Sequence, residues 1–184
     1  MNYYIADLHF GHQNCLKFDN RPFDTIEEHD AALVANWNSV VTDDDDVYIL
    51  GDFTLCNGEF ALKILKQLKG KLHLIIGNHD AKMLKNDKVR ECFCEITAYK
   101  ELSDCSKHIV LCHYPICAYN RHYYGAYHFY GHVHNGVESG IIADTQKQLK
   151  LAFGENACNM YNVGCMWLGY TPRTFKEIIK LEKL

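Results

Sequence analysis

The sequence predicts a mixed α/β fold in which two β-sheets form the core and helices lie outside them. The first half of the 184 residues alternates short apolar runs with amphipathic segments, a pattern typical of strands and helices that follow one another. From Cys92 onward, the segments are short and rich in β-branched and aromatic residues, which indicates strands. The length suits one domain covering residues 1–184, with a sizeable core.

Strands and helices alternate in the predicted first half. Apolar runs predict strands at residues 2–6, 47–50 and 71–76. Amphipathic spacing predicts a helix at residues 25–39, a second from 57 or 58 to 68, and a short helix or turn at 81–87. Thr25 and Glu28 have the spacing of a capping box at the start of the first helix, and Gly70 is placed to end the second.

The second half is predicted to consist mainly of strands. Short β-branched and aromatic segments occur at residues 92–99, 108–112, 127–131, 136–142 and 158–163. The pairs Asn135-Gly136 and Ser139-Gly140 are turn signals among them. Residues 173–184 have the apolar spacing of a closing helix.

The composition narrows the classes of protein to which the chain could belong. Its net charge of −4, from 19 basic and 23 acidic residues, carries no electrostatic footprint for nucleic acid and disfavours long nucleic acid as a partner. The N-terminus lacks the basic and apolar regions of a secretory signal, and the apolar runs are too short to span a membrane. Nine scattered cysteines, an odd number, favour reduced thiols and a cytoplasmic protein.

Polar side chains that can bind metals follow five of the predicted strands. They occur in the blocks Asp7-Leu8-His9, Gly51-Asp52, Gly77-Asn78-His79-Asp80, His113 and Gly131-His132-Val133-His134. Many α/β enzymes place reactive groups in this way, at the C-terminal edge of a sheet. Side chains two residues apart in an extended segment point to the same face, so each Asp-x-His or His-x-His pair can reach one site.

Seven of these residues are candidate metal ligands: Asp7, His9, Asp52, Asn78, His113, His132 and His134. Seven ligands exceed the number that one tetrahedral zinc ion accepts, and they suit two ions that share a carboxylate. Carboxylate, amide and imidazole ligands favour manganese, iron (Fe²⁺ or Fe³⁺) or zinc over calcium or a thiolate site. Two such ions about 3.5–4 Å apart would provide hydroxide near neutral pH and would stabilise the charge that develops in phosphoryl displacement.

The five blocks, in this order, resemble the calcineurin-like metallophosphoesterase superfamily, and the resemblance covers residues 1 to about 165. The opening Asp-Leu-His-Phe-Gly-His-x-Asn, followed by Arg-Pro-Phe, is similar to small single-domain bacterial and phage phosphoesterases of that superfamily. One block departs from the family pattern, because Cys112 stands where a glycine usually precedes the histidine. We expect His113 to bind metal nonetheless. Five ordered blocks favour this interpretation over side chains that merely cap strands and turns.

The resemblance implies a fold and a set of roles. The fold is a four-layer αββα sandwich with two mixed β-sheets flanked by helices. The first ion would be bound by Asp7, His9 and His134, the second by Asn78, His113 and His132, and Asp52 would bridge them. Hydroxide held between the ions would attack phosphorus. His79 would be the general acid that protonates the leaving oxygen, and Asp80 or another carboxylate would orient it.

Residues beside the blocks are candidates for substrate contact. His12 and Asn14 lie in the loop of the first block, where a hydrogen-bonded turn is the alternative role. Arg21 could contact a phosphate through its guanidinium or could be a surface residue. Residues 120–124, within the tyrosine-rich stretch 119–130, could line the substrate site by stacking, or could form a surface loop or a dimer contact.

Together these inferences predict a metal-dependent hydrolase of a phosphodiester or phosphomonoester, with a nucleotide-like small molecule as substrate. A short chain without cap domains leaves the cleft open, which favours diesters. The alternative is a catalytically weak or inactive protein-binding scaffold on the same fold, against which the presence of His79 and of every ligand argues. A metallopeptidase or amidase is disfavoured because the chain lacks a His-Glu-x-x-His motif. The aromatic content permits a homodimer.

Overall fold

The computed structural model describes residues 1–181, and their strands form two mixed β-sheets. Along the chain the strands are β1 (Asn2–Ile5), β2 (Asp46–Ile49), β3 (Lys71–Ile75), β4 (Phe93–Thr97), β5 (Tyr99–Asp104), β6 (Lys107–Cys112), β7 (Tyr127–Tyr130), β8 (Asn159–Asn162) and β9 (Arg173–Thr174). The first sheet has the order β4-β3-β2-β1-β9, and the second has the order β5-β6-β7-β8.

Helices are distributed along the described chain. They are α1 (Cys15–Phe18), α2 (Ile26–Val40), α3 (Gly58–Leu65), α4 (Asp87–Arg90), α5 (Val137–Phe153) and α6 (Phe175–Leu181), with single 3₁₀ turns at Met83–Lys85 and His122–Tyr124. At the start of α2, Thr25 Oγ1 accepts a hydrogen bond from the Glu28 N–H, and the Glu28 carboxylate accepts one from the Thr25 N–H. This capping box satisfies N–H groups that a helix start leaves unpaired. Within residues 1–181, none of the helices combines the length and the apolar character needed to cross a lipid bilayer.

Most neighbouring strands are parallel, which aligns their carboxyl ends. The strands β1, β2, β3 and β4 run parallel in the first sheet, and β6, β7 and β8 run parallel in the second. Each sheet is mixed because β9 and β5 are antiparallel to their neighbours. The loops that follow the parallel strands therefore gather at one edge of each sheet.

The two sheets pack face to face and share one hydrophobic core. Tyr4 of β1 meets Phe129 of β7 edge to face, with ring centroids 4.9 Å apart. On the outer face of the first sheet, the Tyr3 hydroxyl donates to the carbonyl oxygen of Val40 in α2. Beside the second sheet, Nε2 of Gln146 in α5 donates to the carbonyl oxygen of Cys158. Helix, sheet, sheet and helix are the four layers that the resemblance implied, and the predicted fold class is confirmed.

The structure confirms most of the predicted elements. The strands predicted at 2–6, 47–50 and 71–76 correspond to β1, β2 and β3, and the helices predicted at 25–39 and 57–68 correspond to α2 and α3. The segment 81–87 contains a 3₁₀ turn and the start of α4. In the second half, β4, β6, β7 and β8 occupy four of the five predicted strand positions.

Three parts of the second half differ from the prediction. The predicted strand at 136–142 is wrong, because these residues open α5, in which Gly136 is the N-cap. The strand β5 escapes prediction because it lies at a sheet edge and none of its 6 residues is buried, so it lacks a strong apolar alternation. In the closing segment, Arg173–Thr174 pair as β9 before α6 begins, and residues 182–184 lie outside the described part.

The carboxyl ends of β1 and β8 are joined directly in front of the first polar block. The Ala6 N–H donates to the carbonyl oxygen of Val163 at 2.8 Å, and the Cys165 N–H donates to that of Ala6 at 2.8 Å. This bridge ties the edge of the first sheet to the edge of the second. Side chains that follow β1 therefore lie close to those that follow β7.

Candidate metal centre

The predicted ligands come from the loops at the joined edges of the two sheets. Asp7, Asp52 and Asn78 follow β1, β2 and β3 of the first sheet, whereas His113 follows β6 of the second. His132 and His134 follow β7 of the second sheet, and His9 lies two residues after Asp7. The cluster therefore spans the boundary between the sheets.

A first group of possible ligands consists of Asp7, His9 and His134, whose ligand atoms all lie within 4.8 Å of one another. The Nε2 atoms of His9 and His134 are 3.3 Å apart. His134 Nε2 is 3.9 Å from Asp7 Oδ1. This is the set that the family resemblance assigns to the first ion, and the structure brings it together.

A second group consists of Asp7, Asp52 and His113, again within 4.8 Å of one another. His113 Nε2 is 3.6 Å from Asp52 Oδ2 and 2.9 Å from Asn78 Oδ1. Asp52 Oδ2 is also 3.9 Å from His9 Nε2, so this carboxylate lies between the two groups. The resemblance implies that Asp52 alone is shared, whereas the structure gives Asp7 a place in both groups.

His132 lies beside the cluster but, among the described residues, belongs to neither group. Its ring centroid is 5.1 Å from that of His113. Its backbone N–H donates to both carboxylate oxygens of Asp7, at 3.1 and 3.0 Å. The structure thus gives His132 a backbone contact with Asp7, and its side chain's role as a ligand stays a prediction.

Four of the predicted ligands have left-handed backbone conformations. The φ angles are 55° at Asp7, 51° at His9, 54° at Asp52 and 72° at His132. Non-glycine residues rarely adopt positive φ, and such residues concentrate at functional sites when the surrounding structure holds them. Asp and His tolerate this region better than β-branched residues do. The turns after the strands therefore place these side chains at the cluster, and the left-handed backbone conformation costs free energy.

Two glycines of the motif blocks let the backbone approach the carboxylates. A Cβ atom at Gly77 would lie 2.4 Å from Asp52 Oδ1, and one at Gly131 would lie 2.7 Å from Asp7 Oδ2. No side chain fits at either distance. The glycines in Gly-Asn-His-Asp and Gly-His-x-His are therefore explained by close packing against the carboxylates of Asp52 and Asp7.

Hydrogen bonds orient two of the histidine rings. His113 Nδ1 is 2.7 Å from the carbonyl oxygen of Leu50, and His134 Nδ1 is 2.7 Å from Asp19 Oδ1. A carbonyl or carboxylate oxygen accepts, so Nδ1 donates in both rings. Each Nε2 then directs its lone pair into the cluster, the arrangement usual for metal-binding histidines.

The electrostatics of the cluster favour a bound cation. Burial raises the pKa of Asp7 to about 7 and lowers the pKa of His9. Burial also lowers the pKa of His113. The pKa of His134 is raised, because the hydrogen bond to Asp19 and the charge of Asp7 outweigh the opposing effect of burial. Burial disfavours the charged form of the Asp7 carboxylate, and a divalent cation held by these side chains would supply a counter-charge for it. The donor set fits such an ion.

His79 borders the cluster without entering it. Its side chain is 43% exposed, and its Nε2 is 3.9 Å from Asp52 Oδ2. Its backbone N–H donates to Asp52 Oδ1 at 2.9 Å. The ring therefore stands at the solvent side of the cluster, where a substrate could reach it.

Asp80 differs from its predicted role as a catalytic partner of His79. Its carboxylate accepts from the backbone N–H groups of Asp52, Phe53 and Gly77, at 3.1, 2.9 and 2.8 Å. Burial raises its pKa to about 6. Asp80 therefore holds the turns after β2 and β3 together, and among the described residues the acidic neighbour of the His79 ring is Asp52 instead.

Arg21 also differs from its predicted role, since its side chain is fully buried and cannot meet a substrate. The guanidinium donates to Asp19 Oδ2 from Nε at 2.9 Å and from Nη2 at 2.7 Å. It further donates to the carbonyl oxygens of Asp7 and Leu8, at 2.9 and 3.1 Å. The arginine thus supports the turn that contains Asp7 and Leu8.

His12 and Asn14 lie in the loop after the first block, as predicted. The ring centroid of His12 is 5.5 Å from that of His9, and its Nδ1 is buried with no hydrogen-bond partner among the described residues. Asn14 is exposed, and its side chain makes no capping hydrogen bond to α1. Their contact with a substrate stays a prediction.

Three residues at the site have no signal in the sequence. Asp19 is the partner of His134, although nothing in its local sequence marks it. The Phe18 ring centroid is 5.6 Å from that of His134, and the Tyr114 ring centroid is 5.1 Å from that of His113. Phe18 and Tyr114 are 52% and 44% exposed, so one aromatic ring borders each group of ligands.

The tyrosine-rich loop packs against other elements. Asn120 Nδ2 donates to Glu101 of β5. His122 contacts Phe153 at the end of α5, with ring centroids 5.5 Å apart, and its Nδ1 is 3.2 Å from Cys158 Sγ. These contacts favour the alternative of a surface loop over that of a substrate-lining loop.

Fold and site together define a mixed α/β protein with a His/Asp cluster that could hold a metal ion. No family model matches the chain. The uncharacterized protein MJ1445 of Methanocaldococcus jannaschii is 33% identical over 184 residues, which cover 97% of this chain and 89% of that protein. The chain belongs to the same family as MJ1445. The Gene 66 protein of Mycobacterium phage L5 is 42% identical over 81 residues, which cover 42% of this chain and 39% of that protein.

Two solved structures are similar to the chain to different degrees. The protein of unknown function AQ665 from Aquifex aeolicus shares 28% of its sequence, with a TM-score of 0.72 and coverage of 98% of both chains. It has the same fold over nearly the whole length. The phosphoesterase Yfce from E. coli is 18% identical, with a TM-score of 0.35 and coverage of 71% of this chain and 68% of that one. That likeness is too low to bear on function.

Proposed function

We propose that the chain is a metal-dependent phosphoesterase of the calcineurin-like type, which hydrolyses a phosphodiester or a phosphomonoester. The proposal is supported by two overlapping ligand groups that share Asp7, next to the exposed ring of His79. Phosphoryl transfer needs cationic charge at the transferring group and a proton for the leaving oxygen. The ligand groups would hold the cations, and His79 would supply the proton.

The chain would hold two divalent ions through carboxylate, imidazole and amide donors: Asp7, His9, Asp52, Asn78, His113, His132 and His134. Asp7 and Asp52 lie between the two groups and would be shared. Manganese, iron or zinc is the metal that this donor set favours. When bound, such ions lower the pKa of a water molecule and offset the charge on phosphoryl oxygens.

His79 would protonate the leaving oxygen of the ester. Its ring is exposed beside the cluster, and its backbone bond to Asp52 fixes the position from which the ring extends. General-acid assistance of this kind contributes about 10²–10⁴-fold to a rate. Asp80 would act indirectly, since it anchors the amides of Asp52 and Gly77.

The surroundings of the cluster favour a substrate with a planar group. Phe18 and Tyr114 present partly exposed rings beside the first and the second ligand group. A nucleobase or an aryl group can stack on such rings. A nucleotide-like small molecule therefore remains the proposed substrate class, and the diester is favoured over the monoester.

The proposed cellular setting is the cytoplasm. All nine cysteines lie within residues 1–181 and are free thiols, including the exposed Cys94 and Cys105. Exposed free thiols persist in reducing compartments. The net charge of −4 makes long nucleic acid an unfavoured partner, and the homodimer stays a prediction.

The decisive experiment compares two aryl phosphates on metal-stripped protein. Bis-p-nitrophenyl phosphate and p-nitrophenyl phosphate would be assayed side by side with and without added Mn²⁺, together with an Asp52→Asn variant prepared in the same way. We expect Mn²⁺ to restore hydrolysis, with the diester preferred, and the variant to stay at background. That control excludes a contaminating phosphatase.

A protein that binds Mn²⁺ but hydrolyses neither ester, nor any nucleotide in a panel of cyclic and linear diesters, would contradict the proposal. The protein-binding scaffold would then be the better account of the fold. Hydrolysis that is equal in wild type and Asp52→Asn would also contradict it, because the activity would not depend on the cluster.

A further inference from the structure

We propose that His29 and Arg21 are positioning residues of the metal centre, holding His134 and the Asp7 turn through a continuous line of buried hydrogen bonds that starts at Asp30. The inference rests on the proposed function in so far as the cluster binds metal. Neither His29 nor Asp30 belongs to a motif block, and both lie on α2.

The candidate ligand His134 is at the other end of this line. His134 Nδ1 donates to Asp19 Oδ1 at 2.7 Å, and Asp19 Oδ2 accepts from Arg21 Nε and Nη2, at 2.9 and 2.7 Å. The side chains of Asp19 and Arg21 have no exposed surface. The arginine therefore fixes the carboxylate through two donors, and the carboxylate fixes both the ring plane and the tautomer of His134.

The line continues from Arg21 to the helix. Arg21 Nη1 is 2.9 Å from His29 Nε2. A guanidinium can only donate, so this nitrogen of His29 must accept and the proton of the neutral ring must reside on Nδ1. His29 Nδ1 in turn lies 2.9 Å from Asp30 Oδ1, to which it donates. The order of donors and acceptors is thereby determined along the whole line.

The same network holds the first ligand loop at three points. Arg21 donates to the carbonyl oxygens of Asp7 and Leu8. Asp30 Oδ2 accepts from the Gly11 N–H at 2.9 Å. Asp7 and His9 lie in this loop in left-handed conformations. One end of the loop is attached to α2 through Arg21 and His29, and the other end through Asp30. One network therefore positions all three members of the first ligand group.

The arrangement predicts a larger effect on the first group than on the second, because Asp7 is the one member that the two groups share. His113 Nδ1 donates to the carbonyl oxygen of Leu50, and Asp52 is held by the turn that contains His79. Asp52 and His113 therefore retain their supports when His29 is changed. A merely structural role for His29 would lower stability without separating the two metal affinities.

The test uses a matched pair of buried histidines. His29→Leu removes both the acceptor for Arg21 and the donor to Asp30. His128→Leu changes a histidine that is equally buried but bonded to Val110 and Ile116, outside the cluster. Mn²⁺ binding to the metal-stripped full chain would be measured by calorimetry well below the unfolding temperature. The visible spectrum of the Co²⁺-loaded protein would report the geometry of the ligands.

We expect wild type and His128→Leu to bind two ions with affinities that agree within about twofold. In His29→Leu, the affinity of one ion should fall about 10–100-fold, the usual effect of removing support behind a ligand, while the other falls by a clearly smaller factor. The Co²⁺ absorption of the weakened site should change as well. If His29→Leu does not fold, Asp30→Asn at the partly exposed end of the line serves instead, with a smaller loss that again falls mainly on one site.

Two outcomes would overturn the inference in distinguishable ways. Folded His29→Leu or Asp30→Asn protein with both affinities as in the wild type would refute the positioning role and leave the proposed function intact. Failure of the wild type itself to bind Mn²⁺ or Co²⁺ would refute the proposed function, and the positioning role with it.

Discussion

His79 contributes to the site through both its backbone and its side chain. Its N–H donates to Asp52, and its ring is exposed beside the cluster. A substitution that keeps the backbone therefore separates the two contributions. His79→Gln retains the N–H and a side chain of similar reach, but it removes the group that could transfer a proton.

We expect His79→Gln to lower kcat for a diester by about 10²–10⁴-fold and to leave Mn²⁺ affinity unchanged. His108→Gln is the matched control, since His108 is a partly exposed histidine that pairs with Glu101 on the second sheet. Its kcat should equal that of the wild type. A fall in kcat below about threefold for His79→Gln would contradict the general-acid role.

At the scale of single residues, the sequence predicts the candidate ligands but not the residues that support them. Asp7, His9 and His113 follow strands in recognisable blocks, so their place at a sheet edge can be inferred. No local pattern marks the roles of Asp19 and Arg21, because their partners are Asp7, His29 and His134. Those contacts form only when both sheets are in place. The sequence therefore suggests an arginine that contacts phosphate or lies at the surface, where the structure has a buried one.

The turn after β3 illustrates how a single element depends on its glycine. Gly77→Ala would place a methyl group 2.4 Å from Asp52 Oδ1 and would push the carboxylate or the turn aside. We expect a loss of about 1–3 kcal/mol in the free energy of unfolding and weaker Mn²⁺ binding. Urea denaturation and calorimetry would measure the two effects.

Gly140→Ala is the matched control for that substitution. Gly140 lies in α5, where a Cβ atom would meet nothing within 4 Å. Alanine at this position should stabilise the helix by about 0.5–1 kcal/mol, because glycine has the greater conformational entropy to lose. Opposite signs for the two Gly→Ala changes would confirm that position, not residue type, decides the outcome.

The helix α5 also explains the largest error in the predicted elements. Val137, Ile141 and Ile142 resemble strand residues in composition, and two Gly-containing pairs suggest turns. Val137 and Ile141 are instead exposed on the first turns of a 17-residue helix without a fully buried residue. A helix with so little buried surface lacks the apolar stripe from which helices are recognised in a sequence.

Over the whole molecule, the ligands connect the two sheets. Ions bound to ligands from both sheets would stabilise the native state relative to the unfolded chain. At a free Mn²⁺ concentration about 100 times its Kd, one bound ion contributes about 2.7 kcal/mol. For a chain of this size, that corresponds to a rise of about 5–10 °C in Tm. Differential scanning fluorimetry across a Mn²⁺ series would measure it.

The Asp7→Asn variant distinguishes the effect of Asp7 on metal-free stability from its proposed effect on metal binding. Burial raises the pKa of Asp7 from 3.8 to about 7, so the unfolded chain releases this proton at lower pH than the folded one. The metal-free wild type should therefore lose stability as the pH rises through that interval. The metal-free variant should be at least as stable as the wild type at pH 8, yet Mn²⁺ should no longer raise its Tm. A variant that still gains 5 °C or more, with an error of about 1 °C, would contradict the shared role of Asp7.

The two-sheet class can be predicted because alternating segments in one half and strands in the other restrict the possible layers. The order of strands within each sheet cannot, since it depends on long-range pairing. The bridge between Ala6 and Gly164 is the clearest case. It joins residues from opposite ends of the chain, and it brings the first block beside the last.

The left-handed turns at Asp7, His9, Asp52 and His132 have a consequence for how such a chain can diverge. Each position meets two requirements, the proposed metal binding and a left-handed backbone angle, and a relative that loses metal binding still needs the backbone angle. Asn and Gly satisfy the second requirement, because both adopt positive φ at little cost. Relatives that no longer bind metal should therefore have Asn or Gly at these four positions. The left-handed turns would be retained although the candidate ligands are gone.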